Sequence, residues 1–398
     1  MANRGLRGFP PVVWLLGLAS LFNDVSSEAL FPLLPLFLVS LPGGSPAVLG
    51  LVEGAADAIG SAVKVVAGRL SDRGPRRLLV VGGYALPAVA RAAIAAAALP
   101  WHVLAARLAD RAGKGIRAGP RDALLADAAR PGEVGRAFGL QRSMDHLGAA
   151  LGPLVASGLL AAGASVRSTF WAAAGLGLAA PLLLALRLRD PRPSVSSAAP
   201  AAPPASTAAR ALSPPLRRFL TLAVLFALGN STDAFLLLKA RDVGFSAAAI
   251  PLLWFGHHLV KTLAGLPGGA LSDRVPRAAV VAAGWGAYAC AYLGFALAGE
   301  RWQVAALFGF YALYHGLAEG AERALVADLA APGLRGRAFG WYHGAIGAAA
   351  LPAGLATGWI WQAHGSAAAL GTCAALSGAA ALLLAISAAR SRGRVAGP

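Results

Sequence analysis

Residues 123–139 read ALLADAARPGEVGRAFG and residues 324–340 read ALVADLAAPGLRGRAFG, aligned without a gap at a spacing of 201 positions. The same spacing relates GRLSDR at 68–73 to GALSDR at 269–274. Identity of this length at one fixed offset is not a chance event, so the chain is a tandem duplication. Long apolar runs flank each repeated segment. The AVILMFWYC residues make up 57% of the 398 positions and charged residues 13%, against about 25% charged in a soluble domain. Mean hydropathy is +0.62, more apolar surface than a core of this size can hide, so most of it is expected to face lipid. The net charge of +17 does not point to nucleic acid, because the basic residues sit in short clusters between apolar runs.

Helices that cross a bilayer need about 20 residues. Runs bounded by Gly, Pro and charge predict an all-α integral membrane fold of twelve spans, at 12–39, 46–70, 78–99, 102–129, 137–163, 167–188, 218–240, 246–271, 278–298, 302–329, 336–363 and 366–390. The fourth and tenth are the least apolar. Of the 35 basic residues, 20 fall in one set of connections and 4 in the alternate set, which predicts both termini and the central connection on the cytoplasmic side of a plasma membrane. The Pro-, Ala- and Ser-rich stretch 189–217 reads as a cytoplasmic linker between a six-helix bundle at 1–188 and another at 218–398. The first apolar run is too long for a cleavable signal peptide. Arg- and Ala-rich, Lys-poor usage points to a GC-rich bacterial source.

Cys290 and Cys373 lie in apolar runs without partner spacing, so neither a disulfide framework nor a metal site is expected. Nucleotide loops and nucleophile–base arrangements are likewise missing from the pattern. The chain is not read as an enzyme, and no cofactor is expected.

The repeated loop carries a resemblance. Gly68, Leu70, Ser71, Asp72 and Arg73, followed by Arg76 and Arg77, resemble the signature that members of the major facilitator superfamily carry between helices two and three. Its second copy has Gly269, Leu271, Ser272, Asp273, Arg274 and Arg277. Pro75 and Pro276 stand where that signature usually has glycine. Arg111, Lys114 and Gly115 resemble the fourth-helix pattern of the family. Gly148, Gly152, Pro153 and Gly158 resemble the fifth-helix packing pattern of its antiporters. The resemblance implies two pseudo-symmetric bundles around a central cavity, with solute bound between the halves near mid-membrane. It also implies a cytoplasmic gate at Gly68, Asp72, Arg73, Arg76, Asp127, Gly269, Asp273, Arg274 and Asp328, where Asp127 and Asp328 are expected to meet Arg73 and Arg274.

An ionisable residue inside a membrane is costly and is a functional candidate by default. Twelve of the 18 acidic residues fall inside spans, whereas spans three, six, nine and twelve hold a single interior charge, Arg91. In the family those four spans face lipid. Asp24 and Glu28 are four apart on the first span and share a face, flanked by Asn23. They repel when both are ionised, which favours one proton shared by the pair, or they form structural ion pairs. Asp233, with Asn230 beside it, and Glu319 are the further coupling candidates. Glu53 and Asp57 on the second span, with Lys64 beyond them, read as packing ion pairs or as solute contacts. His257 and His258 occupy the equivalent place in the second half, and a histidine there titrates near neutrality or simply packs. Lys114 and Arg117 on the cationic fourth span either bind an anionic solute group or neutralise Asp24, Glu28 or Glu53. His315, Glu322 and Arg323 complete the candidate cavity lining, and Glu319 with Arg323 has the spacing of an intrahelical pair.

The expected function is secondary transport of a small organic solute by alternating access, as proton-coupled efflux antiport. Proton-coupled uptake of an organic anion and a non-transporting membrane sensor are the alternatives. The expected partners are the solute, protons and the lipid bilayer. Nucleic acid is not among them, and the chain is read as a monomer.

Overall fold

In the computed structural model the described backbone comprises residues 9–71, 76–130, 134–188, 213–330 and 335–395. The described chain is helical, without strands. Proline sets the shape of the first span. Pro32 and Pro35 cannot donate to the carbonyls one turn earlier, so α1 (Pro11–Leu30) passes through a 3-10 turn, Phe31–Leu33, into α2 (Leu34–Ser40). There follow α3 (Pro46–Ser71), α4 (Arg76–Ala96), α5 (Pro100–Ala128), α6 (Val134–Ala161) and α7 (Val166–Arg187).

The second repeat opens with α8 (Pro214–Gly229) and α9 (Ala234–Asp242), which together make up the span read at 218–240 with a break inside it. Between them Asn230, Ser231 and Thr232 carry side chains that compete with helical hydrogen bonding. Two carbonyls freed at the break are recovered from a neighbouring helix, since the Tyr288 hydroxyl donates to Gly229 O at 3.1 Å and that of Tyr292 to Ser231 O at 3.4 Å. The break at 230–233 overlaps the positions 201 beyond the turn at Phe31–Leu33, so each repeat interrupts its first span at nearly the same place. Then come α10 (Ile250–Arg274), α11 (Arg277–Leu297), α12 (Arg301–Leu329) and α13 (Arg335–Val395). Gly365, at φ 86°, breaks α13. Only glycine enters that region freely, and the break separates the two runs read at 336–363 and 366–390.

Eight of the described segments are long and apolar enough to cross a membrane. α5, α10 and α12 are the ones that fall short, and the first and last of these are the spans read as least apolar. The buried charges of α5 are met by protein rather than by lipid. Large apolar side chains are exposed on many of the helices, Leu182, Leu186, Leu263, Leu297 and Trp302 among them at 58% or more, a density that a hydrocarbon solvent explains and water does not.

Within the first repeat α1 packs on α6 and α7, and α5 on α3 and α4; within the second, α12 packs on α10 and α11, and α13 on α8 and α11. The repeats meet chiefly where α3 crosses α13 and α6 crosses α10. Glycine permits the first crossing. A Cβ placed on Gly50 would stand 2.0 Å from the carbonyl oxygen of Gly354, and one on Gly354 would stand 2.4 Å from that of Gly50. Backbone touches backbone there, and the end of the interface at which α3 begins is sealed. Beside it the Ser157 hydroxyl of α6 donates to Ala248 O at 2.8 Å.

Candidate solute cavity and its charged walls

Between the repeats lies a cavity of about 440 Å³. The first repeat contributes Phe31, Asp57, Lys64, Arg111 and Lys114 to its wall; the second contributes Asn230, Ser231, Thr232, Asp233, Tyr311 and His315. A smaller chamber of about 190 Å³ shares Phe31, Arg111 and Lys114 with it and adds Glu28, Asp110, Trp254 and His258. Cavities of this combined size suit a small organic molecule.

Behind the first-repeat wall is a buried ionic network. Arg107 donates to both oxygens of Glu53, at 2.8 and 2.6 Å, with both side chains buried. Asp110 lies 3.2 Å from Arg91, 3.6 Å from Arg107 and 3.5 Å from Lys114. Arg91 also donates to Asn23 O, Asn23 Oδ1 and Ser26 Oγ. This arginine, expected on a lipid-facing span, is 2% exposed and points inward. Arg91 stood out in the sequence only as the one interior charge of its set of spans, and Arg107 did not stand out at all. The burial of α5 between α3 and α4 makes both indispensable, because an unpaired charge there would be strongly destabilising. Arg111, one turn nearer the cavity, lies 3.2 Å from Asp57.

Asp24 and Glu28 face α6, where Gly148 and Gly152 let the backbones close. A Cβ on Gly148 would stand 2.6 Å from Leu21 O, and one on Gly152 2.6 Å from Val25 O. Pro153 lies within α6, but Gly158 meets no neighbour within 4 Å and does not serve helix packing. The two carboxylates have different partners. Asp24 accepts from Asn23 Nδ2 at 2.7 Å and lies outside both chambers. Glu28 accepts from Trp254 Nε1 of α10 at 2.9 Å, with His258 Nε2 3.8 Å away.

In the second repeat Asp233 accepts a 2.6 Å hydrogen bond from the Tyr311 hydroxyl, and Asn230 Nδ2 donates to that of Tyr314 at 3.3 Å. Tyr311 stacks on His257, which itself stacks on Trp254. Tyr311, Tyr314 and Trp254 were not singled out in the sequence, where nothing distinguishes them from ordinary core.

Several expected lining residues sit elsewhere. Asn23 is buried under Arg91, and Glu53 is saturated by Arg107. Arg117 is buried against the Tyr84 ring at 4.2 Å. His257 bonds to Phe308 O through Nδ1 and belongs to the aromatic packing. Glu322 is clamped by Trp285 Nε1 at 2.6 Å and by the Tyr342 hydroxyl. Glu319 gathers Arg323 of its own helix at 2.9 Å, Lys261 at 3.5 Å and Arg142 of the other repeat at 3.9 Å, so it and Arg323 form an ionic node rather than a solute contact. For Asn23, Glu53, Arg117, His257 and Glu322 the helix face turns toward protein, which span position alone does not reveal.

At the helix ends Asp127 lies 2.6 Å from Arg76, and Asp328 lies 2.5 Å from Arg277. The pair therefore recurs at the repeat spacing. Each joins two helices of one repeat; Asp328 thus pairs with Arg277 rather than with the expected Arg274, while the expected meeting of Asp127 with Arg73 falls outside the described residues. Arg274 is an exposed residue at the end of α10. Asp72 and Arg73, and the surroundings of Gly68, Gly269 and Asp273, lie outside the described residues.

Helices with lipid-exposed apolar faces around a polar cavity between two repeats define a multi-pass membrane transporter, not an enzyme. Residues 16–239 match the Major Facilitator Superfamily, and the chain belongs to that family. It is 29% identical over 368 residues to an uncharacterized MFS-type transporter of Methanocaldococcus jannaschii, covering 90% of this chain and 91% of that protein. A shorter match, 32% over 130 residues, covers 33% of this chain and 32% of the multidrug resistance protein MdtH of Photorhabdus laumondii. The crystal structure of the nucleoside transporter NupG is similar in fold, with a TM-score of 0.78 at 14% identity over 95% of this chain and 99% of that one.

Proposed function

We propose that the chain is a proton-coupled antiporter that exports a small organic solute from a bacterial cell by alternating access. In this reading it has twelve spans in two six-helix bundles, both termini and the 189–217 linker in the cytoplasm, and works as a monomer. The observation that carries it is the placement of Glu28. This carboxylate lines the smaller chamber and is bonded to Trp254 of the other repeat. A group that alternates between charged and neutral forms at that place links proton occupancy to the fit of one repeat on the other. Asp233 in the main cavity is the second coupling candidate, and the partial similarity to MdtH favours export. Asp24 and Glu319 follow, Asp24 through its proximity to Glu28 and Glu319 through its cross-repeat node.

Uptake of an organic anion is the second reading, favoured by Arg111 and Lys114 in both chambers. Counterflow in proteoliposomes against a solute panel, with a pH gradient imposed or collapsed, tests both. Export requires solute and proton flux in opposite directions, and flux indifferent to the gradient overturns coupling altogether.

A further inference from the structure

The main cavity holds an acid and a base that do not neutralise each other. Lys64 of α3 lines it, exposed to the cavity space, and forms no ion pair among the described residues. The nearby carboxylate of Asp57 is engaged by Arg111 at 3.2 Å. Across the repeat interface Asp233, at the junction of α8 and α9, accepts only the Tyr311 hydroxyl and likewise forms no ion pair among the described residues. Charges inside a membrane protein are costly unless matched, and most others in this interior are matched within 4 Å. Lys114 adds a second, loosely held cation on the Lys64 side, with its ammonium 3.5 Å from Asp110. That oxygen is also met by Arg107 at 3.6 Å. The cationic groups thus come from the first repeat and the free carboxylate from the second, with Phe31 and Tyr311 as apolar and aromatic surface along the wall.

We propose that the cavity binds an amphoteric solute, its carboxylate or equivalent anion at Lys64 and Lys114, its ammonium at Asp233, and its apolar body along Phe31 and Tyr311. The substrate class is therefore zwitterionic molecules small enough for about 440 Å³. Such a solute bridges the repeats, whereas a molecule with one charge satisfies one wall and leaves the other unmatched. This inference rests on the transport reading and narrows its substrate.

The test is thermal unfolding of the full-length protein in detergent, with no gradient present. The probes are phenylalanine, phenethylamine, which lacks the carboxylate, and 3-phenylpropionate, which lacks the amine; alanine and tryptophan grade the size. At least one zwitterion should raise Tm at concentrations about tenfold lower than either single-charge analogue, the factor that one lost charged contact gives. Lys64→Gln should erase the advantage over phenethylamine, and Asp233→Asn the advantage over 3-phenylpropionate, with Lys64→Arg and Asp233→Glu retaining it. A single-charge analogue that matches its zwitterion on the native protein overturns the inference, as does failure of every zwitterion to stabilise. The counterflow experiment keeps the two readings apart. Gradient-driven flux of some other solute, without zwitterion binding, overturns the substrate class and leaves the transporter standing. Zwitterion binding without any gradient-driven flux overturns proton coupling and leaves the substrate class standing.

Discussion

Trp254 Nε1 donates a 2.9 Å hydrogen bond to Glu28 Oε2 and so ties α10 of the second repeat to α1 of the first. The indole also lies against Phe31, with ring centroids 5.3 Å apart, beside the turn that ends α1. A carboxylate, an interrupted helix and the interface between repeats therefore meet at one place. Glu28→Gln keeps an oxygen for the indole but cannot ionise. It should abolish pH-gradient-driven accumulation while preserving solute exchange. Both rates are measured on the same proteoliposomes, and undiminished accumulation would move coupling to Asp233.

Trp254→Phe removes the donor and keeps most of the aromatic surface. Exchange should slow several-fold with little change in Tm, because one hydrogen bond contributes about 1–2 kcal/mol. An unaltered exchange rate would show that the latch does not shape turnover.

Glu53 and Arg107 are a bidentate pair with side chains 1% and 5% exposed. Glu53→Gln leaves the guanidinium short of a charge partner, with Asp110 at 3.6 Å as its remaining carboxylate. Destabilisation of about 3 kcal/mol follows, read as a lowered unfolding temperature in detergent. A Tm within a degree of the native value would mean that Asp110 suffices.

Lys114→Gln should behave differently, although it also removes a charge from α5. Asp110 keeps Arg91 and Arg107, so stability should change little while affinity for anionic groups falls about tenfold. Reduced Tm with unchanged affinity would assign Lys114 to the ionic network alone.

At the crossing of α3 and α13, Gly50→Ala forces a methyl to within 2.0 Å of Gly354 O. The neighbour is backbone and cannot step aside, so the sealed end should be held apart. Transport should drop at least tenfold in a protein that still inserts and purifies, and a cysteine at Ala47 should become more reactive to water-soluble thiol reagents. Normal flux would show that closure at this end tolerates a wider gap.

The paired Arg76–Asp127 and Arg277–Asp328 contacts are partly exposed, and such pairs contribute about 0–1 kcal/mol. Asp127→Asn should leave Tm nearly unchanged, and any loss of turnover would then report on gating rather than folding.

The membrane class, the order of the helical runs and the duplication were legible in the residue order alone, because hydropathy and a gapless repeat are local properties of the chain. Residue order also marked α5 as the charged helix and Gly148 and Gly152 as a packing face, which side-chain size alone makes legible. Residue chemistry could not tell Glu28 from Glu53, or Lys114 from Arg117, since each pair shares charge and approximate depth. Only the tertiary structure decided that Glu53 and Arg117 are consumed within the first repeat while Glu28 and Lys114 reach the chambers. It likewise turned Arg91 inward from a span expected to face lipid, and made Tyr311 the partner of Asp233. The reason is geometric. Helix rotation and crossing set which side chains meet, and for buried charges the partner decides whether a group is saturated or left to bind a solute.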